Sequence, residues 1–229
     1  MNIELNMKGD AIMLTVFGDS IMKRGIVERC GESLGIRTNN YARIDGTAAK
    51  CEEWVSRYEQ RLGPDQIVLI EFGGNDSNYD WTAIAADPEG EHHPRTSIED
   101  FKAAYTRIIQ QVRKTGATPV VVSLPPIDAE RYFRYFSHYW TDEERENVMQ
   151  WLGGSTNHIV AGHEEYNRVI YRLSAEQGVH LIDITSELAT DREYVNYLCE
   201  DGLHPNEKGQ EKIAAIIARS LRQEVPGAA

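Results

Sequence analysis

A hydroxyl, an imidazole, a carboxylate and a side-chain amide occur in this chain in fragments that suit nucleophilic chemistry. Gly18-Asp19-Ser20 follows one short apolar run and Gly73-Gly74-Asn75-Asp76 follows another. Asp201-Gly202-Leu203-His204 lies near the C-terminal end. A serine hydroxyl is a weak nucleophile at neutral pH and needs a base to take its proton as it attacks. Imidazole suits that task because it titrates near neutrality, and a carboxylate on its second nitrogen fixes its tautomer and orientation. Asp201 and His204 share one short segment, so a single local turn can present both. The oxyanion that forms on the attacked carbonyl needs preorganised donors. The Ser20 N–H at the start of a helix, the Gly46 N–H and the Asn75 side-chain amide are the candidates. Gly46 enters because glycine lets backbone approach a ligand closely. The expected catalytic residues are therefore Ser20, Asp201 and His204, and the expected oxyanion hole is Ser20, Gly46 and Asn75.

The surrounding pattern must bring these fragments together. Ala11 to Phe17 reads as a first strand ending at Ser20, followed by a helix from Ile21 to Leu34 and a second strand from Ile36 to Ile44. Cys51, Trp54, Val55, Tyr58 and Leu62 recur at helical spacing. Gln66 to Phe72 is a continuous apolar run, as expected of a parallel strand covered on both faces. A polar loop then reaches Thr96, and Ser97 with Asp100 resembles a capping box opening an amphipathic helix through Val112. Thr118 to Ser123 reads as a fourth strand. Later come a helix around Glu164 to Gln177, a strand from Val179 to Ile184 and a last helix after Asn206. Alternating strands and helices predict an α/β protein with a doubly wound parallel sheet of about five strands. Such sheets gather ligands at the carboxyl ends of their strands, where Ser20 and Asn75 fall.

Residues 125–154 break the rhythm. Pro125-Pro126 ends a strand, and Tyr132, Phe133, Tyr135, Phe136, Tyr139 and Trp140 follow closely; Thr141 with Glu144 can cap a short helix to Leu152. The aromatics could pack under a long loop, line a substrate pocket or cover it from a second subunit. Tyr135, Tyr139 and Trp140 are the candidate pocket residues. Arg131 and Arg134 could meet an acidic substrate group or pair with acidic side chains.

The chain has 229 residues, enough for a single domain over 1–229, with 41% hydrophobic and 26% charged residues. Its net charge of -12 is a poor match for nucleic acid or an anionic membrane. Met1 to Asp10 lacks an apolar core for a signal peptide and no run is long enough to span a bilayer, so the expectation is a cytoplasmic protein. Cys30, Cys51 and Cys199 form no Cys-x-x-Cys, which predicts reduced thiols, with Cys51 on a helix core face. His92-His93 among Asp87, Glu89 and Glu91 lacks metal-ligand spacing and reads as a solvated loop; no metal or cofactor is expected. His158 and His163 read as isolated, partly exposed residues. Gly73-Gly74 lacks the context of a dinucleotide site.

The three fragments resemble the blocks of the SGNH hydrolase superfamily, also called the GDSL esterase/lipase family. Gly18-Asp19-Ser20-Ile21 matches the first block with isoleucine for leucine. Gly73-Gly74-Asn75-Asp76 matches the Gly-x-Asn-Asp block, and Asp201-Gly202-Leu203-His204 the Asp-x-x-His block. In the second block Gly46 can be matched, while Arg43 and Tyr41 stand where a glycine and an asparagine are usual, which hints at a reshaped pocket. The resemblance implies a flavodoxin-like three-layer fold, Ser–Asp–His catalysis and ester hydrolysis without a metal. It implies a small acyl ester as substrate, with acetyl or short-chain esters of carbohydrates foremost and lysophospholipids or acyl-thioesters as the alternative. A catalytically silent binding module on the same fold, and a homo-oligomer, remain open.

Overall fold

The computed structural model describes residues 12–222. The expected strand start at Ala11 and the Met1 to Asp10 segment lie outside them. Strands β1 (Met13–Gly18), β2 (Arg37–Asn40), β3 (Gln66–Glu71), β4 (Thr118–Val122) and β5 (His180–Ile182) form a 5-stranded sheet in the order β2-β1-β3-β4-β5. Every neighbouring pair is parallel. This is the flavodoxin-like order, in which strand direction of winding reverses between β1 and β3.

Both faces of the sheet are covered, so its central strands have no polar side. Leu14, Val16, Ile67 and Leu69 point to a layer completed by helices α1 (Ile26–Leu34) and, at the C-terminal end of the described chain, α9 (Glu207–Leu221). Alternate residues Phe17, Val68 and Ile70 point the other way, onto α2 (Ala48–Tyr58), α4 (Ile98–Lys114) and α7 (Asn157–Gln177). The alternation follows from the two-residue period of a strand. Cys51 is buried on α2, and no cysteine is in a disulfide among the described residues.

A third apolar cluster stands apart from the sheet. It joins α3 (Trp81–Ala86), α5 (Ala129–Phe136), α6 (Asp142–Trp151) and the start of α7 through Trp81, Ile84, Phe133, Val148, Leu152 and Ile159. Its helices begin on side-chain caps. Asp80 accepts from Ala83 N–H at 3.1 Å, Asp128 from Arg131 N–H at 3.0 Å, and Thr141 with Glu144 forms a reciprocal capping box. Residues 125–154 are thus mostly helical and folded onto the 78–96 segment, where the sequence suggested only a polar loop.

Several boundaries differ from the sequence expectation. α1 starts at Ile26, because Asp19 closes a turn on Ile21 N–H at 2.8 Å and turns continue to Gly25. Ser20 therefore sits in a strand-to-turn corner instead of at a helix start. β2 ends at Asn40, although Tyr41 and Arg43 still donate to Val16 O and Gly18 O, each at 2.9 Å. α7 begins at Asn157, ahead of Glu164, and a short helix α8 (Ile184–Ala189) follows β5. Among the described residues no helix is long and apolar enough to cross a membrane.

Candidate active site

Ser20 leaves the end of β1, and His204 reaches it from the far end of the chain. Ser20 Oγ lies 2.9 Å from His204 Nε2, and His204 Nδ1 lies 2.7 Å from Asp201 Oδ2. The other carboxylate oxygen of Asp201 accepts the backbone N–H groups of Leu203 and His204, each at 2.9 Å. Burial opposes the charge on Asp201, but the hydrogen bonds from His204 and Leu203 outweigh it and hold its carboxyl at about 2. Asp201 is therefore ionised across the neutral range and fixes the proton of His204 on Nδ1, leaving Nε2 as an acceptor facing Ser20.

The loop carrying Asp201 and His204 is a closed turn. Cys199 N–H donates to His204 O at 2.7 Å, Leu198 pairs with Pro205, and Asn206 caps α9 through Gly209 N–H at 3.1 Å. Gly202 adopts φ 70° and its carbonyl accepts Asp128 N–H at 2.9 Å. A Cβ there would stand 2.5 Å from Asp128 O and 2.8 Å from Tyr132 N. Only glycine fits this contact between the His204 loop and α5. Arg131 ties the same junction, donating to Val195 O at 3.2 Å and Cys199 O at 3.3 Å. It also lies 3.4 Å from the Asp128 carboxylate, so of the two expected roles it takes pairing with an acidic side chain while it ties the two segments together.

Asn75 Nδ2 donates to Asp19 Oδ2 at 3.1 Å and to Gly46 O at 3.0 Å. Gly46 thus meets Asn75 with its carbonyl, while its own N–H closes a turn onto Arg43 O at 3.2 Å. The Gly46 N–H, expected as an oxyanion donor, is directed at Arg43 O by the turn through Asp45, at φ 62°. Tyr41 and Arg43 do not line the recess. Tyr41 stacks on Tyr58 with ring centroids 4.1 Å apart, and the Arg43 guanidinium lies 4.6 Å over the Trp54 ring.

Beneath these groups lie three buried acids. Asp76 accepts Ala48 N–H at the start of α2 at 3.1 and 3.2 Å, a contact between distant segments. Burial pushes Asp76 up to about 6 and Asp19 likewise up to about 6. Glu71, at the end of β3, is fully buried and neither of its oxygens has a hydrogen-bond partner. Burial first, then the neighbouring charge of Asp19, raises it well above the usual carboxylate range.

Ser20, His204 and Asn75 line a recess of about 300 Å³. Its walls include Tyr79, Trp81, Pro125, Ile127, Tyr132, Trp151, Leu152 and Ile159. The stretch 125–154 therefore contributes to the wall, but through residues other than those expected. Tyr135 is 52% and Tyr139 88% exposed, and neither lines the recess. They fall on the outward face of α5 and the turn after it, while Phe133 takes the core side. Trp140 borders an adjoining hollow with Arg95 and Phe136, which shares Asn78, Tyr79 and Trp81 with the recess. The sequence reading missed Tyr79, Trp81, Trp151 and the two histidines of the wall, His158 and His163. His163 carried a signal: it shares the α7 face of Ile159, Tyr166 and Ile170, a polar residue at an apolar position. In the 87–93 loop, His92 Nε2 meets Asp87 O at 2.7 Å and His93 stands 3.2 Å from Glu91. Among the described residues no three His, Cys, Asp or Glu side chains converge as a metal site.

A parallel sheet of this order, with a hydroxyl, an imidazole and an acid in series at its carboxyl edge, defines a three-layer, flavodoxin-like α/β arrangement with the groups of a hydrolase site. The chain belongs to the GDSL-like lipase/acylhydrolase family, whose model matches residues 16–212. Solved structures share the fold. A lipase/acylhydrolase from Enterococcus faecalis is 15% identical, covering 93% of this chain and 96% of that one, with a TM-score of 0.64. A member of the lipolytic protein G-D-S-L family from Veillonella parvula is 16% identical, covering 91% and 97%, with a TM-score of 0.65. The psychrotrophic esterase EstA from Pseudoalteromonas, in a structure inhibited by monoethylphosphonate, is 13% identical, covering 93% and 97%, with a TM-score of 0.59. No match was found among curated protein sequences.

Proposed function

We propose that this protein hydrolyses small acyl esters through an acyl-enzyme on Ser20, with acetyl or short-chain esters of carbohydrates as the substrate class. Ser20 Oγ attacks the ester carbonyl as His204 Nε2 takes its proton, and Asp201 stabilises the imidazolium through Nδ1–H. The tetrahedral intermediate collapses when His204 returns that proton to the departing alcohol oxygen. Water, deprotonated by His204, then attacks the acyl-enzyme and releases the acid, restoring Ser20. The Ser20 N–H and the Asn75 amide stabilise the oxyanion. For Asn75 this means exchanging one of its present acceptors, and the neutral Gly46 carbonyl is the weaker one to leave.

The observation that carries this reading is the unbroken Ser20–His204–Asp201 chain of hydrogen bonds on the wall of a recess. At about 300 Å³ the recess lies at the small end of ligand pockets, roughly 300–1,000 Å³. That size favours short acyl groups over the long chains a lysophospholipase or acyl-thioesterase must hold. The test is labelling by a fluorophosphonate together with p-nitrophenyl esters of increasing acyl length. Expected are a single adduct on Ser20, turnover highest at roughly two to four acyl carbons, as a pocket of this size admits, and persistence in a strong chelator. No adduct and no turnover would make the protein a silent binding module.

A further inference from the structure

One wall of the recess holds a polar group that ester cleavage at Ser20 does not use. His163, on α7, lines the recess and is only 7% exposed. Its Nδ1 is sealed from solvent and has no hydrogen-bond partner; the nearest acid oxygen, Glu164 Oε1, is 4.0 Å away. Burial drives its pKa down to about 4, so the ring is neutral at pH 7, with one N–H and one lone pair. A buried N–H without a partner is rarer and costlier than a bare acceptor. The sealed Nδ1 is therefore the bare nitrogen, and Nε2, the nitrogen a ligand can reach, carries the proton.

The neighbours narrow what that N–H can meet. Trp151 packs edge-on against Tyr79 and Trp81, at centroid distances of 5.0 and 6.3 Å, which makes a rigid wall. Trp81 Nε1 is already committed to Asn78 and Tyr132, at 2.8 and 3.2 Å. Among the described residues no lysine or arginine lines the recess, whereas the acids Asp19 and Glu71 do. A phosphate or carboxylate entering here would meet no fixed cation among them and would face acidic groups. A purely hydrocarbon group would bury the His163 N–H unpaired, which weakens binding. The group that satisfies both conditions is small, uncharged and carries an acceptor oxygen.

We propose that His163 and the Tyr79–Trp81–Trp151 wall form a specificity subsite for the uncharged, oxygen-bearing half of the ester, in which the imidazole donates to a hydroxyl, ether or carbonyl oxygen. This rests on the hydrolase reading and adds to it a residue and a ligand chemistry. The test uses two pairs of esters that differ by CH2 against O. One pair varies the acyl side, p-nitrophenyl butyrate against p-nitrophenyl methoxyacetate. The other varies the alcohol side, cyclohexyl acetate against tetrahydropyran-4-yl acetate. The readout is the kcat/KM ratio of oxygen to carbon member in wild type, divided by the same ratio in His163→Leu, so that intrinsic reactivity cancels. The expected quotient is roughly tenfold in one pair, which also tells which half occupies the subsite. His163→Gln, which keeps a donor, should retain part of it. Quotients within twofold in both pairs overturn the subsite while leaving the hydrolase reading intact. If Ser20 takes no label, the hydrolase reading fails, and the subsite is read separately from the Tm shift given by tetrahydropyran against cyclohexane, which carries no oxygen. A shift specific to the ether and lost in His163→Leu supports it, and no difference overturns it.

Discussion

The strand ends and the aromatic cap meet across the recess, and they are held by different forces. On the strand side, Ser20, Asn75 and Asp76 are oriented by directional hydrogen bonds of 2.9 to 3.2 Å to partners far along the chain. On the cap side, Trp81 stacks on Phe136 at 5.0 Å, and Trp151 meets Tyr79 and Trp81 edge-on. Directional bonds hold reacting atoms at angles that chemistry needs, whereas packed rings define volume and tolerate exchange of one apolar shape for another. Reactivity and selectivity are therefore separable here: changes at strand ends should alter kcat, and changes in the cap should alter which ester is chosen.

The largest effect belongs to the hydrogen-bonded series. Ser20→Ala and His204→Ala should each lower kcat by about a thousandfold or more, because such residues act as a unit. Asn75→Ala should lower kcat by about a hundredfold with little change in KM, as for an oxyanion donor. Steady-state kinetics on p-nitrophenyl acetate read all three; near wild-type turnover in either of the first two variants would remove the proposed mechanism.

Next comes the junction where the two regions touch. Gly202→Ala puts a Cβ 2.5 Å from Asp128 O in a backbone conformation that costs about 1–2 kcal/mol for a side chain. The His204 loop must shift away from α5, so kcat should fall by about tenfold or more while Tm drops by several degrees. A folded variant with unchanged kcat would show that the cap does not hold the His204 loop in register.

The third prediction concerns the acids under the strand ends. Asp76 has an ordinary value of 3.8 and is raised to about 6 in the fold. Between those values the folded state holds more protons than the unfolded one. The stability this group contributes is thus complete below about pH 4 and is lost as pH rises through 6. The shift corresponds to about 3 kcal/mol, larger than the roughly 1 kcal/mol a carboxylate gains at a helix N-terminus, so burial decides the sign. Asp76→Asn should remove this part of the slope. Urea unfolding at pH 4 and pH 7 should show the variant gaining about 2 kcal/mol relative to wild type across that interval. A parallel pair of pH profiles would mean that Asp76 is ionised at its ordinary value.

Much of the strand side was legible in the sequence, and most of the cap was not. Ile67 to Ile70 form a run that only a doubly covered strand explains, and the short residue blocks at strand ends follow from the need for tight corners there. The Thr141 and Ser97 caps were readable because capping is a local interaction. Asp76 holding Ala48 N–H and Gly46 turning its carbonyl to Asn75 are long-range contacts that local spacing does not encode. The cap eluded the reading for a related reason. The helix Trp81–Ala86 is too short to show a period, and the aromatics of residues 132–140 divide between core and surface by the phase of α5, which composition alone does not reveal.

The smallest effect separates the two faces of that aromatic stretch. Tyr139 touches His138, with ring centroids 3.6 Å apart, and is otherwise exposed; Tyr135 meets the same histidine at 6.1 Å. Neither borders the recess, whereas Trp151 does. Tyr135→Ser and Tyr139→Ser should therefore change stability by no more than about 0.5 kcal/mol, as for surface positions without special contacts. Their kcat/KM profile against acyl length should match wild type within about twofold, since a change under 0.5 kcal/mol is that small. Trp151→Ala serves as the contrast: it removes part of the wall, so the profile should move toward longer acyl groups while Ser20 labelling persists. The measurement is one ester series on three folded variants, with sedimentation in parallel. Should Tyr139→Ser alter the length profile, this ring must reach the substrate from a second copy of the chain, and a change in sedimentation would accompany it. A monomeric variant with an altered profile would mean instead that the turn after α5 bends over the recess, and the division between reactive floor and selective wall would have to include it.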